Sequence, residues 1–139
     1  MATVIRPEIS TKNKYYIDKH RYYELKHFCL QYLSWKKTYL ALDELGMTSS
    51  LIDHTPSGNS ISDLTAKYAI RKTVYSERIK LIEKTAMEAD EDLWVYILKA
   101  VTEGLSYTYL KTKLEIPCGR DMYYDRYRKF FWLLSESRG

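Results

Sequence analysis

Residues that interrupt helices are scarce in this sequence, which has only five glycines and three prolines among 139 residues. That scarcity favours long helices over a β-sandwich with many turns. No run of about 18 apolar residues occurs, and the first residues lack the basic-then-apolar order of a secretion signal. A soluble cytoplasmic protein with no membrane partner is therefore expected.

Motifs for catalysis and metal binding are also missing. The chain has no phosphate-binding glycine-rich loop, nucleophile elbow or HExxH sequence. Cys29 and Cys118 form no CxxC pair, so reduced thiols are expected rather than a disulfide or a zinc site. His20 and His27 are seven residues apart, with Glu24 between them, whereas a metal-binding pair prefers four. Ordinary surface histidines are the favoured interpretation, zinc is the minor one, and we expect neither an enzyme nor a cofactor.

The net charge of +4 is small for a nucleic-acid-binding protein, so its distribution along the chain matters more. Seven basic residues face nine acidic ones between Gly46 and Gly104, whereas seven basic residues meet four acidic ones from Leu105 onward. The basic C-terminal end is compatible with DNA contact. Fourteen tyrosines suit either base stacking or packing on helix faces, and packing is the favoured interpretation.

The first part of the chain predicts a helical hairpin. After a loose arm at residues 1–13, a helix is expected over residues 14–45, with Gly46 as its stop. A loop at residues 47–61 and a cap at Ser62 or Asp63 then lead into a second helix, over about residues 64–87. One stripe of the first helix carries apolar residues spaced three or four apart: Leu25, Phe28, Tyr32, Trp35, Tyr39 and Leu42. Such a stripe packs on a helix of the same chain or of a second copy, so it is a candidate homodimer interface.

The C-terminal part predicts three short helices. The acidic run at residues 88–92 is interpreted as a helix boundary capped by Asp90 rather than as a metal site. Ser106 is a good N-cap, and Pro117 prevents the last two helices from being continuous. The expected segments are a helix from Leu93 that ends at Gly104, a short helix over residues 107–114, a turn over 115–119 and a last helix over 120–135. This order is typical of a helix-turn-helix unit.

The last helix divides into an apolar and a polar face. Its expected core side consists of Met122, Tyr123, Phe130, Leu133 and Leu134. The expected reading side consists of Arg120, Tyr124 and Arg128, flanked by Asp121 and Asp125, and would face the major groove of double-stranded DNA. The residues expected to contact phosphates are Lys111, Lys113, Lys129 and Tyr107. The alternative is a packed bundle whose last helix has only a solvated basic face.

The run IPCGRDMYYDRYRKFFWLL at residues 116–134 resembles the C-terminal portion of phage proteins of the RinA and ArpU type. The segment SDLTAKYA at residues 62–69 is similar to one that opens a helix in such proteins. Proteins of the RinA and ArpU type are late-gene transcription regulators, and their C-terminal ends look like region 4 of sigma factors. Pro117 and Cys118 stand where Gly and Ser are usual in that family. The resemblance implies a DNA-binding regulator in a bacterial host cell, with host RNA polymerase as a further candidate partner.

The sequence thus predicts an all-α protein in three parts: an arm at residues 1–13, a long helical hairpin at 14–88, and a three-helix, helix-turn-helix unit at 89–139. Its expected function is transcription regulation of phage late genes through double-stranded DNA. One alternative is a phage interaction protein that inhibits or redirects a host machine, such as a defence nuclease or RNA polymerase, without reading DNA. A weaker alternative is a component of DNA packaging.

Overall fold

The computed structural model describes the backbone of residues 13–52 and 59–139, and the side chains of residues 13–44 and 63–139. Within these ranges the chain forms helices and no strand, so the prediction of an all-α protein is confirmed. The helices are α1 (Lys19–Leu30), α2 (Tyr32–Ile52), α3 (Asn59–Ala89), α4 (Trp94–Glu103), α5 (Tyr107–Lys113) and α6 (Arg120–Arg138). None of these described helices is long and apolar enough to cross a membrane.

The helix expected over residues 14–45 is divided at Gln31, so the prediction of one continuous helix is wrong. The backbone N–H of Gln31 donates to the carbonyl of Phe28 over 3.3 Å, which tightens the last turn of α1. At the other end, α1 begins only at Lys19. There the Asp18 carboxylate accepts a hydrogen bond of 2.9 Å from the backbone N–H of His20, as an N-cap residue does.

The end of α2 and the start of α3 also differ from the prediction. Helix α2 continues through Gly46, and α3 begins before Ser62 and Asp63, so neither the stop nor the cap lies where it was expected. A helix interior tolerates glycine at a cost of about 1 kcal/mol, which the rest of a long helix can offset. Of the expected loop, residues 47–52 and 59–61 are helical, whereas residues 53–58 lie outside the described residues, as do residues 1–12 of the expected arm.

The chain divides into two compact units that differ from the predicted boundary near residue 88. Among the described residues, one unit comprises residues 32–52 and 59–80, and the other combines residues 13–31 with residues 81–139. Helix α1 therefore belongs to the same unit as α4, α5 and α6, and it contacts both α4 and α6.

The smaller unit is built from α2 and the first part of α3, which run antiparallel as expected for a hairpin. The guanidinium of Arg78 lies 5.2 Å from the ring centroid of Trp35. Further along α2, Asp43 accepts a hydrogen bond from Lys72, whose ammonium group also lies 5.3 Å from the Tyr39 ring centroid. The start of α2 thus contacts the later part of α3, whereas positions further along α2 contact earlier positions of α3.

The apolar stripe that was expected to form a homodimer interface is covered within the single chain. Its members Leu25, Phe28, Tyr32, Trp35 and Leu42 are only 0–6% exposed, and Tyr39 is half-buried. The prediction that this stripe is a surface for a second copy is therefore wrong, because helices of the same chain already bury it.

The core of the larger unit rests on the aromatic face of α6. That face consists of Tyr123, Tyr127, Phe130, Phe131 and Leu134, all buried. The prediction included Met122 and Leu133 instead of Tyr127 and Phe131, but Met122 is 46% exposed and Leu133 is half-buried. The reason is helix α1, whose Tyr22 contacts the rings of Tyr127 and Phe131 and turns this side of α6 inward.

Candidate nucleic-acid interface

The sequence indicated Asp90 and Gly104 as the residues that bound α4. One carboxylate oxygen of Asp90 accepts hydrogen bonds from the backbone N–H groups of Asp92 and Leu93, over 2.8 and 2.9 Å. At the other end, Gly104 has a left-handed conformation with φ of 69°, which glycine adopts without the strain of a side chain. The predicted stop is confirmed, whereas the N-cap of α4 is Leu93, which makes no side-chain cap hydrogen bond, and Asp90 instead closes the turn that precedes the helix.

Helix α5 and the link to α6 follow the expected order. The Ser106 hydroxyl accepts a hydrogen bond from the backbone N–H of Tyr109 over 3.2 Å, so the predicted N-cap is confirmed. In the link, Glu115 has a positive φ of 55°, and Ile116 is buried. The backbone N–H of Ile116 donates to the carbonyl of Leu110 over 3.0 Å, which closes the end of α5. The chain therefore turns sharply before α6 begins.

An ion pair joins α6 to the segment that precedes α4. The Nε of Arg126 donates to the second carboxylate oxygen of Asp90 over 2.9 Å, and Arg126 also pairs with its neighbour Asp125 over 2.5 Å. Burial on its own would raise the pKa of Asp90, but the Leu93 N–H, the Arg126 guanidinium and the Asp92 N–H together lower it. Asp90 is thus a carboxylate that holds both the turn before α4 and the side of α6.

The outward face of α6 carries charges of both signs. Asp121 is exposed, and Arg128 and Lys129 are half-buried on this side of the helix. Asp125 is engaged with Arg126, which is not one of the arginines expected to read DNA. On α5, Lys111 and Lys113 are exposed, and the Lys111 ammonium lies 3.5 Å from the carbonyl oxygen of Ile116. The basic groups of both helices are therefore accessible on the surface of one unit.

Arg120 lies among tyrosine rings at the start of α6. Its guanidinium is 5.0 Å from the ring centroid of Tyr107 and 6.0 Å from that of Tyr124, and it donates to the Tyr124 hydroxyl over 3.0 Å. Tyr107 is only 8% exposed, and its own hydroxyl donates to the carbonyl of Cys118 over 2.7 Å. The expected phosphate contact by Tyr107 is therefore wrong, because this side chain instead holds the link and supports Arg120.

The two cysteines are free and buried. Burial raises the pKa of the Cys29 thiol, despite the opposing charge of Arg138, and it raises the pKa of the Cys118 thiol as well. Neither thiol therefore has the lowered pKa of a reactive cysteine. Within the part of the chain that the structure describes, no group of three His, Cys, Asp or Glu residues gathers where a metal ion could bind.

Sequence reasoning missed two sets of residues in this unit. Arg126 was not singled out, although its pairing with Asp90 orients α6, because the two residues lie 36 positions apart. Tyr23 and Lys26 were not singled out either, yet they line a cleft with Arg120 and Tyr124. No local pattern indicates these pairings, since they depend on α1 packing beside the C-terminal helices.

No protein-family model, curated protein or solved structure matches this chain. Function is therefore inferred from its own residues. Of the residues expected to bind DNA, the structure brings together Arg120 and Tyr124 at the start of α6, places Arg128 and Lys129 one to two turns further along, and leaves Lys111 and Lys113 exposed on α5.

Proposed function

We propose that the chain binds double-stranded DNA through a helix-turn-helix formed by α4, α5 and α6, and that it acts as a transcription regulator of the RinA and ArpU type. In this proposal α6 enters the major groove, and α5 lies against the phosphate backbone. Arg120 and Arg128 contact base edges or phosphates, because a guanidinium forks onto guanine as well as onto phosphate oxygens.

The observation that carries the proposal is the way α6 is held. Its aromatic face is buried and Arg126 ties its flank to Asp90, so the opposite side of its first turns is left outward. A reading helix needs this arrangement, since its side chains must be positioned before DNA arrives. The short α5 has its own N-cap, and a sharp turn connects it to α6. Helix-turn-helix proteins use this order.

The charges on α5 and α6 also support the proposal that these two helices contact DNA. Lys111, Lys113, Arg128 and Lys129 provide accessible cations, whereas Asp121 is the exposed carboxylate in the first turn of α6. Phosphate contacts by lysine and arginine supply most of the affinity in protein–DNA complexes, and Asp121 is chemically suited to accept a hydrogen bond from cytosine.

The test is retention of labelled phage genomic DNA fragments by the purified chain across a series of salt concentrations. We expect selective retention of a few fragments, with affinity that falls steeply as salt rises. Arg128→Ala is expected to weaken specific binding by about 1–3 kcal/mol. Lys113→Ala is expected to weaken binding to all fragments alike and to lower the salt slope by about one.

Arg71→Ala is the matched control, because Arg71 is an exposed arginine on α3 in the other unit. It removes the same charge and should leave DNA binding unchanged. If no fragment binds at low salt, the proposal fails and a protein partner becomes the target of the search. Equal losses of DNA affinity in Arg71→Ala and Arg128→Ala would show that only net charge matters, and would reject α6 as the reading helix.

A further inference from the structure

A cleft of about 520 Å³ lies in the larger unit, between α1, the junction of α4 and α5, and the first half of α6. Its volume is within the range of sites that hold small molecules. The junction of α4 and α5 contributes one wall, which includes Ala100, Val101, Gly104 and Leu105.

Aromatic rings dominate the lining of this cleft. Tyr22, Tyr123 and Tyr127 form a buried base, in which the hydroxyls of Tyr22 and Tyr127 share a hydrogen bond of 2.7 Å. Nearer the opening, Tyr23 is 38% exposed and Tyr124 is half-buried, so parts of both rings face the solvent. Exposed faces of tyrosine rings on a packed base are suited to stacking a flat aromatic group at little entropic cost.

Two cations from different helices line the same cleft. Lys26 comes from α1, with its ammonium 5.9 Å from the Tyr23 ring centroid, and Arg120 comes from α6, with its guanidinium over Tyr107. Among the described residues that line the cleft, none is Asp or Glu. The lining therefore carries positive charge with no acid of its own, which favours an anionic ligand.

We propose that this cleft is a binding site for a mononucleotide, whose base stacks on Tyr23 and Tyr124 and whose phosphates pair with Lys26 and Arg120. Neither half of the lining is sufficient for this ligand, since rings alone would suit any flat apolar molecule and cations alone would suit any phosphate. The combination of both within one cleft of this size specifies an aromatic group and an anion in the same ligand.

One consequence of a nucleotide site rests on the proposed function, because it assumes that α6 binds DNA. Arg120 is shared between the cleft and the face of α6 that we assign to DNA. A bound nucleotide that engages the Arg120 guanidinium would lower DNA affinity, and DNA would lower nucleotide affinity by the same factor.

The test measures fluorescence anisotropy of N-methylanthraniloyl-ATP and -GTP on titration with the full chain. We expect saturable binding with a Kd below about 1 mM. Unlabelled ATP should displace the probe, whereas adenosine and inorganic tripolyphosphate, which each offer half of the ligand, should compete at least about tenfold more weakly. Tyr23→Ala should weaken binding about tenfold, through lost base stacking, and Tyr23→Phe should retain it.

The charge of the cleft is tested with Lys26→Ala, which should weaken nucleotide binding roughly five- to tenfold, and with Lys26→Arg, which should restore it. Matched controls are Lys19→Ala and Tyr109→Ala, because both residues are exposed in the same unit and neither lines the cleft. Circular dichroism confirms that each variant is folded.

Three outcomes would overturn the proposal: no saturable binding up to about 1 mM, equal competition by tripolyphosphate and ATP, or cleft variants that bind as tightly as the controls. The two proposals also fail separately. Arg128→Ala should bind nucleotide normally because Arg128 does not line the cleft, whereas Lys26→Ala should bind DNA normally because Lys26 lies on α1.

Discussion

Replacing Asp90 by alanine removes three hydrogen bonds in the larger unit, of which two are local and one comes from α6. One carboxylate oxygen accepts from the N–H groups of Asp92 and Leu93, and the other accepts from Arg126, all within 2.9 Å. Loss of a capping carboxylate costs about 1 kcal/mol. The ion pair adds about 1 kcal/mol, since the Asp90 side chain is 10% exposed and that of Arg126 is 31% exposed, so solvent screens it in part. We therefore expect Asp90→Ala to lower the free energy of unfolding by about 2 kcal/mol.

The assay is urea denaturation near neutral pH, followed by far-ultraviolet circular dichroism and by tryptophan fluorescence. Asp90→Asn keeps an acceptor for the backbone amides but loses the charge, so it should cost only about 1 kcal/mol. Asp92→Ala is the control, because the Asp92 side chain is exposed, and it should cost less than about 0.5 kcal/mol. A double-mutant cycle with Arg126→Ala should give a coupling energy of about 1 kcal/mol.

The pH dependence follows from the lowered pKa of Asp90. A carboxyl whose pKa is lower in the folded state than in the unfolded state stabilises the fold above the unfolded pKa, which is about 3.9. That contribution is lost as the pH falls through the folded pKa. The difference in the free energy of unfolding between the parent and Asp90→Asn should thus shrink below about pH 4. The reasoning is refuted if Arg126→Ala costs as much in the Asp90→Ala background as in the parent, or if the difference persists in acid.

Further predictions concern backbone strain and the thiols. Gly104→Ala should lower the free energy of unfolding by about 1 kcal/mol, because φ is 69° there while the added Cβ would meet Leu30 only at an ordinary 3.7 Å. Glu115→Gly should raise that free energy by up to about 1 kcal/mol, since φ is 55° at this residue. A change of the free energy of unfolding in the same direction in both variants would contradict the strain argument. Ellman's reagent should label Cys118 slowly and Cys29 only on unfolding, because burial raises both thiol pKa values and Cys29 is fully covered whereas Cys118 is 9% exposed. Rapid labelling of both thiols in the folded chain would be the contrary result.

Local signals predicted the C-terminal helices well. Gly104 and Ser106 marked the end of α4 and the start of α5 correctly, because left-handed glycines and capping hydroxyls act on the backbone within a few residues. The division at Gln31 carries no such signal, since neither Gly nor Pro lies near it. Gly46 misled the prediction because a glycine weakens a helix without ending it.

Tertiary partners were predicted less well than helix ends. Helical periodicity placed Tyr123, Phe130 and Leu134 correctly in the core of α6, but it cannot say which helix covers the next position around the axis. Tyr127 is buried because Tyr22 arrives from the far end of the sequence. The cleft was missed for the same reason, as Tyr22 and Tyr23 of its aromatic lining come from α1.

The pairing of α1 with α6 has a consequence for how the protein is made. A ribosome releases α1 before α6, so Tyr22 lacks the rings of Tyr127 and Phe131 until α6 has been synthesised. The described residues between 32 and 80 interrupt the larger unit and form a compact body of their own, which can gain structure before α6 has been synthesised. Assembly of the larger unit depends on contacts of long sequence separation, which close late and slowly. A nascent chain that stops short of α6 would therefore expose the apolar side of α1, and such chains are natural substrates for chaperones and proteases.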